Sequence, residues 1–234
     1  MGLDKKVDAL LRLKPDVAVV PECSEKSVNA LRQPGFRALW FGSNPHKGLG
    51  VIYRDDWGVH KLPEPDQKWF APIEVDAPTP FALIAVWACK VGPSRKDRYV
   101  GQVYQALLAH PEWFSGRPVV LAGDFNSNKI WDAKRAVGNH SDVVKLLDDR
   151  GLVSAYHKHF NEPQGEELQH TYYQFRHEGK KFHIDYIFIP QEWRLKTVEV
   201  GEYTQWAKRS DHSPLIVELN LGRADGPDGA FSMR

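Results

Sequence analysis

The sequence predicts a single α/β domain in which helices pack on the outside of β-sheets. The chain has 234 residues, which suits one large domain, and no linker-like stretch divides it. In the first half, short apolar runs of strand length alternate with helical spacing, whereas strand patterns dominate the second half. That mixture is typical of packed sheets with outer helices, although periodicity alone leaves the topology open.

The elements of the first half follow from local patterns. Leu3, Val7 and Leu10 recur at helical spacing, so we expect a first helix that ends before Pro15. Short apolar runs predict strands at 17–20, 49–53, 81–88 and 118–122, and residues 99–108 and 142–147 carry apolar side chains on one helical face. The five prolines of residues 63–80 predict a loop.

The second half is dominated by strands. Residues 172–175 and 182–189 have strand patterns on either side of the turn residues 177–180, so we expect them to pair. The last predicted strand covers residues 214–219. Residues 222–234 are polar and contain glycine, which predicts a flexible tail after a single domain of residues 1–221.

Composition excludes several classes of protein. Hydrophobic residues make up 42% and charged residues 26% of the chain, which is typical of globular proteins and not of disordered or collagen-like chains. The longest apolar stretch, 81–89, is too short for a membrane span, which needs about 20 residues. A net charge of +1 excludes nucleic-acid binding by overall charge alone but leaves a local basic patch possible. The two cysteines match no zinc spacing and build no disulfide framework, and the charged N-terminus resembles no signal peptide, so we expect a cytoplasmic protein. We also expect a monomer.

Polar residues follow two of the predicted strands at their ends. Asp124 and Asn126 are two positions apart, so in a strand they point to the same side, where a carboxylate and an amide can orient a water. The alternative is a turn, because Asp and Asn bond their own backbone. Glu22 also follows a strand, where open sheets place ligands and hard cations find oxygen ligands; alternatively it is a solvated loop residue.

Two further polar groups lie near the last strands. Asp185 stands inside an apolar strand, and a buried charge there requires a partner, which could be a metal, a histidine or an arginine. Asp211 and His212 precede Pro214, and an imidazole beside a carboxylate can act as a general acid or base or, when protonated, as a phosphate clamp. The alternative for this segment is a polar turn that the proline ends.

In this order, the motifs Gly-Asp-Phe-Asn at 123–126, Asp-Tyr-Ile-Phe at 185–188 and Ser-Asp-His-Ser-Pro at 210–214 resemble those of the endonuclease/exonuclease/phosphatase superfamily. The resemblance covers essentially the whole chain. It implies the deoxyribonuclease-I-like fold, a four-layer α-β-β-α sandwich of two mixed β-sheets with outer helices. It also implies an active site at the end of the sandwich where the strand ends converge.

The resemblance implies a hydrolase of phosphate esters that depends on a divalent metal, Mg²⁺ with Mn²⁺ as a substitute. Glu22 would bind the metal, and Asp211 would complete the metal or water network. Asp124 would orient or deprotonate the attacking water, and Asn126 would help to hold the water and the phosphoryl oxygens. His212 would contact a phosphate oxygen or transfer a proton.

Asp185 would be the carboxylate partner of that histidine. The same resemblance favours nucleic acid as the substrate, so we expect a nuclease-type phosphodiesterase. A phosphomonoesterase for inositol phosphates or lipids is the enzymatic alternative.

The chain departs from the family pattern at its start. Members normally begin with a strand that bears an asparagine near the metal, whereas here the first recognisable element is the helix that follows it. A degenerate binding protein without turnover is therefore a further alternative.

Two groups outside the motifs also leave alternatives open. Aromatic residues such as Tyr172 and Phe175 could stack on a base or pack in the core, and basic residues could meet phosphates or be solvated, namely Lys90, Arg95, Lys96 and Arg98.

Overall fold

The computed structural model describes Leu3, residues 6–220 and the backbone of residues 230–233. Its helices are α1 Val7–Arg12, α2 Glu25–Asn29, α3 Val100–Ala109, α4 His140–Asp148, α5 Ala155–Phe160 and α6 Tyr203–Trp206. Its strands are β1 Val17–Cys23, β2 Phe36–Asn44, β3 Lys47–Arg54, β4 Gly58–Lys61, β5 Phe70–Asp76, β6 Phe81–Trp87, β7 Val119–Asp124, β8 Leu152–Ser154, β9 Tyr172–Tyr173, β10 Lys181–Phe182, β11 Asp185–Pro190, β12 Arg194–Val200, β13 Leu215–Asn220 and β14 Ala230–Met233.

Two six-stranded sheets form the body of the molecule. The first has the strand order β12-β13-β14-β1-β3-β2, and the second has the order β4-β5-β6-β7-β11-β8. Both are mixed, because β1 pairs with β14 and β6 with β7 in parallel, while the remaining neighbours are antiparallel. The short strands β9 and β10 pair separately.

The core lies in three layers between four layers of backbone. Val51 of the first sheet and Ile73 of the second belong to one buried cluster, which fills the space between the sheets. Val28 of α2 packs against the outer face of the first sheet, and Val103 of α3 and Val143 of α4 pack against the outer face of the second. The predicted α-β-β-α sandwich is therefore confirmed.

One predicted loop is wrong, because residues 63–80 contain β5. The five prolines hid a strand whose other residues are strongly apolar. Pro72 fits into this strand because it lies just beyond the end of β4 at Lys61, where its carbonyl oxygen accepts a hydrogen bond from Leu62 N at 3.0 Å. A proline is tolerated in a strand where no neighbour needs its missing N–H.

The predicted pairing of residues 172–175 with 182–189 holds only for a short part. Tyr172 pairs with Phe182 and Tyr173 with Lys181. From Asp185 onward the chain changes partners, and β11 pairs with β7 and β8 in the second sheet instead. This change brings Asp185 into the main sheet, next to β7.

The strand β14 lies between β13 and β1 in the first sheet. Residues 222–229 of the predicted tail lie outside the described residues, and the backbone of Ala230–Met233 forms β14. In the described part of the chain, β14 meets β1 only at Val17, while it pairs with β13 from Val217 to Asn220. Beyond the contact at Val17, toward Glu22 on β1 and His212 before β13, the space between these two strands is a cavity.

Candidate active site

Two neighbouring strands bring two of the acidic candidates together. In the antiparallel register of β7 and β11, Asp124 lies directly opposite Asp185. Gly123 precedes Asp124 with a φ of +139°, and a Cβ at this position would clash with the carbonyl oxygen of Val86 on β6. Glycine is therefore required for the close approach of β6 and β7 immediately before the carboxylate.

Asp124 and Asn126 form a closed pair. Asp124 Oδ1 accepts a hydrogen bond from Asn126 N at 2.7 Å, and its Oδ2 accepts one from Asn126 Nδ2 at 2.7 Å. Asp124 is buried. Burial, and next the charge of Asp185, raise the pKa of Asp124 well above its usual range. The motif is a turn and a polar constellation at once, so the two interpretations of residues 123–126 do not exclude each other.

His212 lies against the other carboxylate of this pair of strands. Its Nδ1 donates to Asp185 Oδ2 at 2.9 Å. Burial alone would lower the pKa of His212, but the charge of Asp185 and this hydrogen bond outweigh it and raise the pKa to about 9. His212 is therefore protonated at neutral pH in this structure. Of the three partners that the sequence left open for Asp185, the structure gives the histidine.

Thr171 holds the start of β11 and the segment before β13 in place, and it was not identified from the sequence. Its side-chain oxygen accepts hydrogen bonds from Ile184 N and Asp185 N, each at 3.1 Å, and its carbonyl oxygen accepts one from Ser213 N at 2.8 Å. Thr171 is fully buried. One threonine thus fixes the backbone on both sides of the Asp185–His212 contact.

Glu22 stands at the end of β1 with a φ of +55°, and its Oε1 lies 3.0 Å from Lys47 Nζ. It lines a cavity of about 170 Å³ that opens between β1 and β13. Five of the six predicted site residues line this cavity, namely Glu22, Asp124, Asp185, Asp211 and His212. Asn126, the sixth, is bonded to Asp124 and lines a neighbouring groove instead.

Two lysines near the carboxylates were not predicted, namely Lys47, which pairs with Glu22, and Lys6. Lys6, just before α1, lines the cavity. Burial lowers the pKa of Lys6, against the opposing charges of Asp211, Asp185 and Glu22. No asparagine is among the described residues that line the cavity, so a lysine is the polar group that the start of the chain contributes. Its pattern in the sequence, a charged residue before a helix, gave no signal of this position.

A polar network lies behind the Asp124–Asn126 turn. Asn128 Nδ2 donates to Glu167 Oε2 at 3.0 Å and to the carbonyl oxygen of His183 at 3.0 Å. Glu167 also pairs with His157 Nε2 at 3.1 Å, and both side chains are buried. The network ties the loop after β7 to the segment before β11, and it supports the position of Asn126.

The donor set suits a hard divalent cation. Four carboxylates line the cavity, and carboxylate oxygens are the ligands that Mg²⁺ prefers. Among the described residues, however, no three His, Cys, Asp or Glu side chains are arranged as a ready metal-ligand set. Mg²⁺ keeps several of its waters, so it needs few protein ligands.

The sequence of this chain matches a known family over most of its length. Residues 5–212 match the profile of the endonuclease/exonuclease/phosphatase family. The chain belongs to this family. The resemblance inferred from the motifs is confirmed, and the family consists of enzymes that hydrolyse phosphate esters. Among curated protein sequences, none matches this chain.

Solved structures of low sequence identity share the fold. A 3′-5′ exonuclease from Neisseria meningitidis is 23% identical, with a TM-score of 0.67 over 94% of this chain and 96% of that one. A 3′ phosphatase from Neisseria, bound to a product DNA hairpin, is 21% identical, with a TM-score of 0.68 over the same shares. A mannosyl-6-phosphatase from Bacteroides thetaiotaomicron is 19% identical, with a TM-score of 0.62 over 94% of this chain and 90% of that one.

These likenesses support the fold and leave the substrate open. In the described part of the chain, no helix combines the length and the apolar character that crossing a bilayer demands.

Proposed function

We propose that this protein is a divalent-cation-dependent phosphodiesterase that acts on nucleic acid. The observation that carries the proposal is the convergence of five polar side chains from distant parts of the sequence on one cavity. Ionisable groups with shifted pKa values in a shared cleft are typical of active sites. The same arrangement argues against a binding protein without turnover, since it retains both a carboxylate pair and a protonated imidazole.

His212 supplies positive charge and a proton. Because the pKa of His212 is raised to about 9, the ring is an imidazolium at neutral pH and can donate from Nε2 to a non-bridging phosphate oxygen or to the leaving oxygen. Asp185 holds Nδ1, which fixes the ring orientation. The developing charge of the transition state is thus met by a donor that is already in place.

Asp124 is the group that handles the attacking water. Its carboxylate is fixed by two hydrogen bonds from Asn126, so it can orient a water without reorganising. Burial and neighbouring carboxylates raise the pKa of Asp124, which makes it a stronger base once it is ionised. Asn126 stabilises the ionised form by donating to both oxygens.

Glu22 and Asp211 would hold the cation. When bound, a divalent cation neutralises phosphate oxygens and makes a coordinated water more acidic. Lys47 pairs with Glu22 in this structure and Lys6 borders the same cavity, so both lysines also offset the negative charge of the site.

Nucleic acid is the substrate that the relatives support. One of them is a 3′-5′ exonuclease and another is a 3′ phosphatase bound to a product DNA hairpin, whereas a third is a mannosyl-6-phosphatase. A phosphomonoesterase for inositol phosphates or lipids therefore remains the enzymatic alternative that the test must separate.

The test is hydrolysis of a substrate panel with Mg²⁺, with Mn²⁺ and with EDTA. The panel contains plasmid DNA, abasic duplex, single-stranded DNA, RNA, inositol phosphates and bis(4-nitrophenyl) phosphate. We expect cation-dependent cleavage of phosphodiesters, and a loss of about 100-fold or more in His212→Ala. Asp149→Asn, which changes an exposed carboxylate paired with Lys145, is the control that retains the wild-type rate. Activity confined to inositol phosphates, or full activity in EDTA, would contradict the proposal.

A further inference from the structure

A second and larger concavity adjoins the candidate active site. This groove has a volume of about 730 Å³, within the range of about 300–1,000 Å³ that is usual for ligand sites. Asn126 and Tyr172 line its end at the active site. Tyr172 also touches the ring of His212, with the two ring centroids 4.8 Å apart. A molecule that lies in the groove is therefore in direct reach of the groups that would act on a phosphodiester.

Two arginines give the groove positive charge. Arg95 donates to Asn139 Oδ1, and Arg98 Nε donates to the carbonyl oxygen of Gly92 at 3.4 Å. Both acceptors are neutral, and within residues 6–220 neither guanidinium forms a salt bridge. Since both side chains are exposed and line the groove, their charge is available to a phosphate.

One carboxylate, that of Asp132, also lines the groove. It is engaged at the start of α4, because its Oδ1 accepts from His140 N at 2.8 Å and its Oδ2 accepts from Ser141 N at 3.1 Å. Both of its oxygens are thus engaged at the helix terminus, and the charged residues that line the groove are two arginines against this one carboxylate.

Exposed aromatic rings form part of the groove wall. Trp131 is 49% exposed and packs on Phe182 with the ring centroids 4.9 Å apart, and Tyr99 is 44% exposed. Tyr99 has a φ of +47°, a left-handed conformation that is uncommon for an aromatic residue. Uncommon backbone conformations cluster at functional sites, and contiguous exposed apolar surface marks ligand-binding grooves; here both occur on the wall of one groove.

From this groove we infer that the preferred substrate carries an unpaired nucleotide next to the scissile phosphodiester. The base stacks on the aromatic wall at Trp131, and the adjoining phosphate pairs with Arg95 and Arg98. This inference rests on the proposed function for its link to cleavage, but the binding itself requires no turnover. Stacking platforms combined with basic side chains are the general means of holding single strands.

The experiment measures binding in EDTA, where cation-dependent cleavage does not occur. Fluorescence anisotropy follows a labelled single-stranded oligothymidylate, an oligomer of the same length made of abasic residues, and a blunt duplex. The variants are Trp131→Ala and the double variant Arg95→Gln/Arg98→Gln. The matched controls are Leu108→Ala, which is as exposed as Trp131 at 49%, and Arg37→Gln on the edge strand β2.

We expect single strands to bind more tightly than the blunt duplex or the abasic oligomer. Trp131→Ala should weaken the thymidylate by roughly tenfold and leave the abasic oligomer unaffected, because the lost contact is with a base. The double arginine variant should weaken both oligomers and reduce the slope of log Kd against log salt by about 1.4, or about 0.7 for each phosphate contact. Both controls should bind like the wild type.

Three results would overturn the inference. These are equal affinity for duplex and single strand, equal losses in the variants and their controls, and a wild-type affinity that is insensitive to the bases. Displacement of the oligomer by an inositol phosphate at equal concentration would assign the groove to another ligand class. Single-strand binding without hydrolysis of any substrate would refute the proposed function and leave the groove assignment standing, so the two failures are distinguishable.

Discussion

Replacing Asp185 with asparagine tests the electrostatic contact at the centre of the candidate site. His212 Nδ1 lies 2.9 Å from Asp185 Oδ2, and the pKa of His212 is raised to about 9. A hydrogen bond to a charged group contributes about 1.5–3 kcal/mol, and one pKa unit corresponds to about 1.36 kcal/mol. Asp185→Asn keeps the shape of the side chain and removes the charge. We therefore expect the pKa of His212 to fall by about 1–2 units.

The same substitution predicts how stability depends on pH. The pKa of His212 is higher in the folded chain than in the unfolded chain, so the pair stabilises the protein fully below the ordinary histidine value of about 6.5. That contribution is lost as the pH rises through about 9. The difference in unfolding free energy between wild type and Asp185→Asn should therefore shrink across this window.

The assays are NMR titration of the histidine rings and urea unfolding below, within and above this window. Asp76→Asn is the control, because it removes a carboxylate–histidine contact of 3.2 Å with His60 at an exposed position, where such pairs contribute little. The reasoning is refuted if His212 titrates at the same pH in both proteins, or if the stability difference stays constant with pH.

Three further predictions concern the interior. Asp124→Asn should lower phosphodiester turnover by about 100-fold or more with little change in Tm, because it removes a buried carboxylate whose pKa is raised. A wild-type rate in this variant would contradict the role of Asp124 in handling the attacking water. Gly123→Ala should destabilise the fold by several times more than Gly116→Ala in urea unfolding, because both have positive φ but only Gly123 has no room for a Cβ; equal losses would count against this. Glu167→Gln should cost about 1.5–3 kcal/mol at neutral pH, because it replaces the charged acceptor of the hydrogen bonds from His157 and Asn128. Hydrogen bonds lower the pKa of Glu167 to about 2 despite its burial, so the stability that the ionised carboxylate contributes is lost as the pH falls through about 2. The loss of unfolding free energy in Glu167→Gln should therefore shrink in acid. A loss that does not change with pH would argue against the pair.

The sequence predicted the parts of the site that local patterns encode. Apolar runs located β7 and β11, of which Asp124 is the last residue and Asp185 the first. Asn126 lies beyond the end of β7 with a φ of +45°, so a turn, and not the strand period, brings it to Asp124. The convergence of Glu22 with His212 depends on how distant strands pair, which no local pattern reveals. The family motifs supplied that expectation, and the structure places both residues on one cavity.

The residues that sequence reasoning overlooked act through tertiary contacts. Thr171 is significant only because β11 and the segment before β13 meet at its side chain and its carbonyl. Lys6 has the sequence pattern of an exposed residue before a helix. It is largely buried because it lines the cavity between β1 and β13, which depends on how distant strands are arranged. Tyr172, by contrast, was named from the sequence with two interpretations left open, and its place beside His212 depends on an isolated bridge between them. In each case the sequence sets the chemistry of the side chain and the fold sets its neighbours.

The most direct test of the central claim is the position of Mn²⁺ in a crystal of the wild-type protein, located by anomalous diffraction. The account predicts an anomalous peak in the cavity that Glu22 and Asp211 line, where these two carboxylates would hold the ion. A peak elsewhere on the molecule, or a cavity that stays without Mn²⁺ at saturating concentration while hydrolysis proceeds, would contradict it.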